Sequence, residues 1–346
     1  MKKIIFIYFF TFLLVSCQSG KIERFLIGDF NFNIPLVNDI DDLLGKNART
    51  IQLDTITEAL VGNINKIIKQ DNNFFILSGG TEGKRILHFD NTGKFISSLD
   101  KRGGGPGEYT TILDFNVYNQ NGNTELWICD FKRFRKYVLS DNSWNLAGNI
   151  DFDFVIHKFK IISDEHILLV TGQNEESLML ADINGKPLRT FLKKEIPFLT
   201  FKFVEFVNYN SYIVFQLGPS NEGVAFCSKD FSFEYVNIAN NKQFLSSKNL
   251  LKLFDRFGQA YLGELSNTNC IRDFGEINDT IWLEYFYHGV RFVAVSKNGV
   301  WKKIKVDIKN NFPTATFGVA ESNDSFILHE YPEDDNLNLI LYEYIQ

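Results

Sequence analysis

Cysteine is scarce in this chain, which has four in 346 residues. After Cys17 there remain Cys129, Cys227 and Cys270, an odd number without any Cys-x-x-Cys spacing. Such usage argues against a disulfide framework and against a thiolate zinc site. We therefore expect the three internal thiols to be buried as small apolar groups.

An excess of positive charge is also missing. The formal net charge is −6 at pH 7, and it becomes −8 if Lys2 and Lys3 are removed with a signal peptide. An acidic chain argues against nucleic-acid binding through bulk electrostatics. Aromatic side chains are abundant instead, at 15% of the residues with 35 Phe, and they favour packing on the faces of β-strands.

The N-terminus has the pattern of an export signal. Lys2 and Lys3 precede an almost unbroken apolar run from residue 4 to residue 15. This run is shorter than the ~20 apolar residues of a membrane span, so a signal-peptide core is the better interpretation. It ends in Leu-Val-Ser-Cys, a lipobox whose cysteine is Cys17. We predict a lipoprotein signal peptide at 1–16 and lipidation of Cys17, with an ordinary secreted protein as the alternative.

Strand-like segments recur from about residue 50 onward, as short apolar alternations bounded by Gly, Asn and Asp. The first four are 64–69, 73–77, 85–90 and 94–99, and the turn from Asp90 to Gly93 joins the last two. Similar units return at steps of about 40 to 50 residues, which is the period of four-stranded propeller blades.

The strand count predicts how the ring closes. The C-terminal unit offers three strands, at 315–322, 325–330 and 338–344, and Thr50–Leu53 can supply the fourth. This exchange removes open sheet edges. We predict an all-β fold: a six-bladed β-propeller at 46–346 with four-stranded blades, in which an N-terminal strand closes the last blade.

One longer step in the repeat indicates an insertion at about 238–265. Leucine and phenylalanine recur there at roughly helical spacing, so a helix is predicted from Gln243 to Gly258.

A β-sandwich is the alternative fold, but about twenty-four strands are too many for it.

A glycine-rich loop joins the first two predicted blades. It runs Arg-Gly-Gly-Gly-Pro-Gly-Glu-Tyr from Arg102 to Tyr109, and its structural residues are Gly103, Gly104, Gly105, Pro106 and Gly107. No Gly-Lys-Ser/Thr and no helix pattern follow, so it is not a phosphate-binding P-loop. The restricted backbone of proline makes left-handed φ angles necessary for at least one of the glycines.

This loop resembles the signature of the six-bladed β-propeller lipoproteins of Bacteroidota, Arg-Gly-x-Gly-Pro-Gly-Glu-Tyr. The resemblance spans residue 50 to the C-terminus and is strong across 62–116, including Gly62–Ile68. It implies a fold and a cell compartment more than an activity. Surface lipoproteins of these bacteria tend to carry an acidic run after the lipidated cysteine, whereas residues 18–23 hold one acid and one base. We expect a monomer anchored in the outer membrane and facing the periplasm, with 17–45 as a lipidated tether and lead-in.

Ligand sites of propellers gather around the channel on the face that carries the loops between successive blades. The candidates for ligand contact there are Arg102, Glu108, Tyr109, Asp130, Arg133, His157 and His288. The alternative is structural: Arg102 and Glu108 hydrogen-bond the loop backbone, and Tyr109 fills the core between blades. His88, His166 and His329 fall inside strands and are expected to be packed.

Two functions remain open. The first is a non-catalytic binding or scaffold module for a glycan, peptide or protein partner, with no cofactor and no nucleic acid. The second is a metal-dependent lyase or hydrolase with a divalent cation in the channel, as in other six-bladed propellers. Such an enzyme needs three converging ligands, and the candidates near the inner strands are Asn63, Glu108, Asp114 and Asn116. Histidines are too few for a zinc or iron site, and no Ser-His-Asp arrangement is recognisable.

Overall fold

The computed structural model describes residues 24–46, 48–81, 83–120, 122–172, 175–193, 206–306, 320–322, 324–332 and 338–346. The predicted signal peptide, the lipobox and Cys17 lie outside these residues. No helix of the described part is long and apolar enough to cross a bilayer.

Short elements precede the repeats, namely β1 (Arg24–Phe25), β2 (Leu36–Val37), α1 (Ile40–Leu44), β3 (Arg49–Gln52) and a 3₁₀ turn at Thr57–Ala59. Four-stranded antiparallel sheets then follow one another along the chain. Blades one and two are β4 (Asn63–Gln70), β5 (Asn73–Gly80), β6 (Gly83–Asp90), β7 (Phe95–Leu99), β8 (Asp114–Gln120), β9 (Asn123–Asp130), β10 (Arg133–Ser140) and β11 (Ser143–Asp151).

Blades three to five repeat this order. Their strands are β12 (Ile156–Ile161), β13 (His166–Thr171), β14 (Glu176–Asp182), β15 (Pro187–Lys193), β16 (Phe206–Tyr209), β17 (Tyr212–Gln216), β18 (Glu222–Cys227), β19 (Phe233–Asn237), β20 (Cys270–Ile277), β21 (Thr280–Tyr287), β22 (Val290–Lys297) and β23 (Val300–Lys305). Apolar clusters pack between adjacent blades, as where Leu77 of blade one and Ile128 of blade two share a core.

The last blade joins the two chain ends. Its sheet contains β25 (Ser325–Glu330) and β26 (Ile340–Ile345), and β3 pairs antiparallel with β26. The two-residue strand β24 (Ala320–Glu321) precedes β25 at the channel and pairs parallel with β4 of blade one. Ile51 lies opposite Leu341, and the Leu53 amide donates to the Leu339 carbonyl over 3.1 Å. The predicted six-bladed propeller, closed by an N-terminal strand, is confirmed.

The segment before β3 is more than a tether, and the interpretation of residues 17–45 needs correction from Arg24 onward. β1 adds a parallel strand to the outer edge of β19, and β2 does the same at β23. Phe30 and Phe32 are buried against the aromatic core between blades four and five. The segment lacks periodicity because it follows the outside of the ring with strands of only two residues.

The predicted insertion carries a helix, α2 (Ser247–Phe257), followed by α3 (Tyr261–Glu264) and by 3₁₀ turns at Gly258–Ala260 and Leu265–Asn267. The Ser246 hydroxyl caps α2 by accepting from the Asn249 amide. Leu250 of α2 and Tyr261 of α3 are fully buried. The helix predicted at Gln243–Gly258 is therefore present.

Candidate functional site

Tyr109 of the signature loop is a buried structural residue. Its hydroxyl donates to the carbonyl oxygens of Lys84 at 2.9 Å and Leu99 at 3.2 Å, and its ring is fully enclosed. Burial raises the pKa of Tyr109 well above its usual range. Arg102 forms an ion pair with Asp100 at 2.7 Å. Tyr109 therefore holds the loop to blade one and is not accessible to a ligand.

Glu108 stabilises the loop from inside. Its Oε2 accepts a hydrogen bond from the Gly105 amide at 2.7 Å, and its own amide donates to the Gly105 carbonyl at 3.1 Å. The carboxylate occupies the space where a Cβ on Gly103 would lie. Gly107 has φ of +78°, the left-handed conformation predicted for this loop.

We expect Glu108→Gln to fold and to lower the melting temperature only slightly, because the amide oxygen can still accept from Gly105. Glu108→Ala removes this charge-assisted bond and should cost about 1.5–3 kcal/mol. Thermal denaturation of both variants checks this. A Gln variant as unstable as the Ala variant would show that the charge itself is required.

Two of the other candidates from the sequence are neighbours, since Asp130 and Arg133 lie opposite each other in the hairpin of β9 and β10. Asp130 is buried, and its carboxylate accepts from the amides of Thr110 and Thr111, both at 3.1 Å. Arg133 pairs with Asp151 on the surface. His157 packs against Gly172, and His288 lies exposed at a hairpin tip with its amide bonded to Asn269. His288, between β21 and β22 of blade five, is on a different blade from the other three.

The remaining histidines lie in strands, as predicted. His88 is on β6, His166 on β13 and His329 on β25. Burial lowers the pKa of His88 and of His329 to about 4, so both are neutral at physiological pH.

A cavity with a volume of about 560 Å³ lies in the central channel of the described chain. Residues of the first strands of all six blades line it. It extends to Asp71 and Asp324, which lie in loops between first and second strands. These loops are on the face opposite the signature loop. We call the end of the cavity that opens on this face the channel mouth.

A buried ion network crosses the channel wall. The Lys66 ammonium contacts Asp114 Oδ1 at 3.0 Å and Glu321 Oε1 at 3.2 Å, and it donates to the Phe115 carbonyl at 3.1 Å. Lys160 reaches the other oxygen of Glu321 at 3.3 Å. The network connects blades one, two, three and six. Burial alone would raise the pKa of Glu321, but Lys160 and Lys66 outweigh it and lower the pKa to about 2.

The mouth combines this network with aromatic and amide groups. The indole of Trp282 lies against the backbone of Gly275, where any Cβ would collide with it. Tyr118, Asn116 and the exposed Asn208 complete much of the wall. This site was not predicted from the sequence, because its residues come from different blades. Of the residues in the site and its ion network, the candidates from the sequence included only Asp114 and Asn116.

The proposed metal ligands do not converge. Asn63 is exposed, Glu108 bonds its own loop and Asp114 pairs with Lys66. Asn116 donates from Nδ2 to the Phe159 carbonyl at 2.9 Å. Within the described ranges, no three His, Cys, Asp or Glu residues are grouped so that they could hold a metal ion.

Known proteins share this architecture. Residues 37–340 match the family described as Domain of unknown function (DUF4934). A Bacteroides fragilis NCTC 9343 protein, described as exported, superposes with a TM-score of 0.69 at 15% identity, covering 92% of this chain and 98% of that one. At this identity the likeness shows the fold alone.

Two further solved structures are more distant, and we infer nothing about this chain from them. A protein of unknown function from Bacteroides caccae has a TM-score of 0.42 at 9% identity, covering 71% of this chain and 83% of that one. Dihydro-heme d1 dehydrogenase NirN in complex with DHE has a TM-score of 0.43 at 7% identity, covering 80% and 54%. No curated protein matches the sequence significantly.

Proposed function

This chain belongs to the family described as Domain of unknown function (DUF4934), and we propose that it is a non-catalytic binding protein that takes a small polar ligand into the channel mouth. The cavity carries this proposal. Its volume of about 560 Å³ falls within the range of small-molecule sites, about 300–1,000 Å³. A folded protein cannot enter such a space, so a glycan unit or a peptide end is the better ligand.

The channel mouth replaces the signature face as the binding site. On the signature face, Tyr109 is buried and Glu108 bonds the loop backbone. At the mouth, the polar groups of Asn116, Lys160 and Asn208 line open space. No observation in the described chain favours the metal-dependent lyase or hydrolase, because its ligands do not converge.

Filling the mouth should abolish binding. Asn208 is exposed on the inner strand β16 and lines the cavity, so Asn208→Trp places a large ring in the opening. We expect at least a tenfold loss of affinity for any glycan or peptide that calorimetric screening finds. Asn145→Trp is the matched control, since Asn145 is exposed on the outer strand β11. Equal affinity of the two variants would place the ligand elsewhere.

We also propose that Cys17 carries a lipid anchor and that the propeller faces the periplasm from the outer membrane. The lipobox supports this, and the Bacteroides fragilis neighbour is described as exported. Cys17→Ala should lose membrane retention and keep its fold, while Cys227→Ala keeps both. Detergent partition of cell fractions measures this, and an anchored Cys17→Ala variant would refute the lipoprotein assignment.

Protease treatment of intact cells tests the orientation. Rapid digestion of the propeller would show that it faces outward and not toward the periplasm.

A further inference from the structure

The strand β1 starts beside the turn between the first two strands of blade four, on the face of the channel mouth. The guanidinium carbon of Arg24 lies 4.5 Å from the centroid of the Tyr212 ring. The Tyr209 hydroxyl donates to the Leu26 carbonyl. Tyr209 ends β16 and Tyr212 begins β17, so the two tyrosines flank the turn. We call Arg24, Leu26 and this turn the mouth-side edge of blade four.

From Arg24 the chain runs toward the signature face. β1 is parallel to β19. After β1, the Ile27 amide donates to the Ile238 carbonyl over 2.8 Å. The Gly28 carbonyl accepts from the Asn240 amide, also over 2.8 Å. Residues 238–240 follow β19 in the connection to blade five, and such connections lie on the signature face. The chain therefore enters the ring at the mouth-side edge of blade four.

This entry point is fixed to the ring. Arg24 forms an ion pair with Glu234 of β19 at 3.3 Å. Phe30 and Phe32 follow within a few residues, and they are only 3% and 5% exposed. Both rings pack on Phe244, with centroids 5.8 and 4.9 Å away. A pull on the chain before Arg24 is therefore transmitted to blade four and does not simply unwind a loose tail.

The tether between the lipid and the ring is short. Arg24 lies seven residues after Cys17. A fully extended chain spans at most ~3.3–3.6 Å per residue, so the tether reaches no farther than about 25 Å. A domain of about 300 residues has a radius of gyration of about 19 Å, which corresponds to a diameter of about 50 Å. The reach of the tether is therefore about half the width of the domain.

The signature loop lies on the far side of the ring from the entry point. In a six-bladed ring, blade one stands directly across from blade four. The signature loop leaves blade one on the face opposite the channel mouth. It is thus separated from Arg24 by nearly the full width of the domain, about 50 Å, which is about twice the reach of the tether.

We propose that the lipid anchor holds the mouth-side edge of blade four toward the bilayer and that the signature loop points away from it. This inference rests on the proposed lipidation of Cys17 and adds the orientation of the ring. The partner of the mouth-side edge is the lipid surface that carries the anchor, and the signature loop is excluded from contact with that surface.

Two fluorescent labels measure the orientation of the full lipidated protein in vesicles of phosphatidylethanolamine and phosphatidylglycerol. Lys229→Cys places a label in the exposed hairpin between β18 and β19, on the mouth face of blade four. Thr81→Cys places one in the exposed hairpin between β5 and β6, on the signature face of blade one. Both variants carry Cys227→Ala, because Cys227 is half-buried whereas Cys129 and Cys270 are buried.

Energy transfer from each label to an acceptor on the lipid headgroups is the readout. We expect the label at residue 229 to transfer at least about twofold more of its energy than the label at residue 81, because the two positions are separated by nearly the domain diameter of about 50 Å. Equal transfer from both labels, or more transfer from residue 81, would overturn the proposed orientation.

A longer tether is the matched control. Insertion of about 20 Gly and Ser residues between Lys21 and Ile22 lengthens the reach by ~70 Å, which exceeds the width of the domain. The difference between the two labels should then disappear. A difference that persists would mean that the surface of the ring sets the orientation, and the proposal that the tether sets it would be wrong.

Cys17→Ala distinguishes failure of the anchor from failure of the orientation. Without its lipid, this variant should leave the vesicles, and neither label should transfer energy. If it stays bound and transfers energy like the lipidated protein, the lipid anchor is wrong and the orientation falls with it. If binding requires Cys17 but both labels transfer equally, the anchor is right and only the orientation is wrong.

Discussion

Deletion of residues 46–56 is expected to abolish cooperative folding of the propeller. The deletion removes β3, which supplies a strand of the last blade and buries Ile51 and Leu53. Each of these side chains contributes about 1.5–3 kcal/mol by burial. Whole domains of this kind have a stability of about 5–15 kcal/mol, so this loss, together with the lost strand pairing, approaches the total. Chemical denaturation monitored by circular dichroism measures the effect.

A point variant tests closure in a chain that still folds. Ile51→Ala should lower the free energy of unfolding by about 2–5 kcal/mol, as for other buried isoleucines. Ile56 is the matched control, since it lies five residues away and is 51% exposed. Ile56→Ala should change stability by less than about 0.5 kcal/mol. Similar losses in both variants would mean that β3 does not close the ring.

Lys66→Met is expected to be the most damaging single substitution in the channel. The side chain of Lys66 is 4% exposed, and that of Asp114 is 1% exposed. Methionine keeps the length and removes the charge, which leaves Asp114 buried without its cation. Breaking a buried pair in this way costs about 3–5 kcal/mol. Lys297→Met, at an exposed end of β22, should be nearly neutral.

The cost of Lys66→Met should shrink in acid. Glu321 has a folded pKa of about 2, below its ordinary 4.5, so its ionised form stabilises the folded protein above the ordinary value. That stabilisation is lost as the pH falls from 4.5 toward 2. The difference in unfolding free energy between wild type and Lys66→Met should therefore be larger at pH 7 than at pH 3. If the difference in unfolding free energy does not change with pH, Glu321 does not contribute to the ion network.

The architecture could be predicted from the sequence because each repeat has its own local pattern of strands and turns. Each blade carries its own strands and turns, and counting them assigned Thr50–Leu53 to the last blade. The segment from Arg24 was misjudged because its role depends on the outer edges of blades four and five, more than two hundred residues away. Nothing in its own periodicity shows those edges.

The channel mouth could not be predicted for the same reason. Lys66, Asp114, Lys160, Asp273 and Glu321 are each one polar residue in an ordinary strand, separated by about 40 to 110 residues, and only ring closure makes them neighbours. The signature loop drew attention because its motif is continuous in sequence. The glycines and Glu108 of this loop stabilise its backbone conformation. The most conspicuous motif of the sequence is therefore a structural element.

We infer that a ligand enters the channel mouth and not the signature face. Hydrogen exchange of the mature protein with and without the tightest-binding compound found by calorimetric screening tests it directly. We expect slower exchange at the inner-strand segments 206–209 and 273–277, with no change at 100–109. Protection confined to 100–109 and to the hairpin of His288 would contradict it.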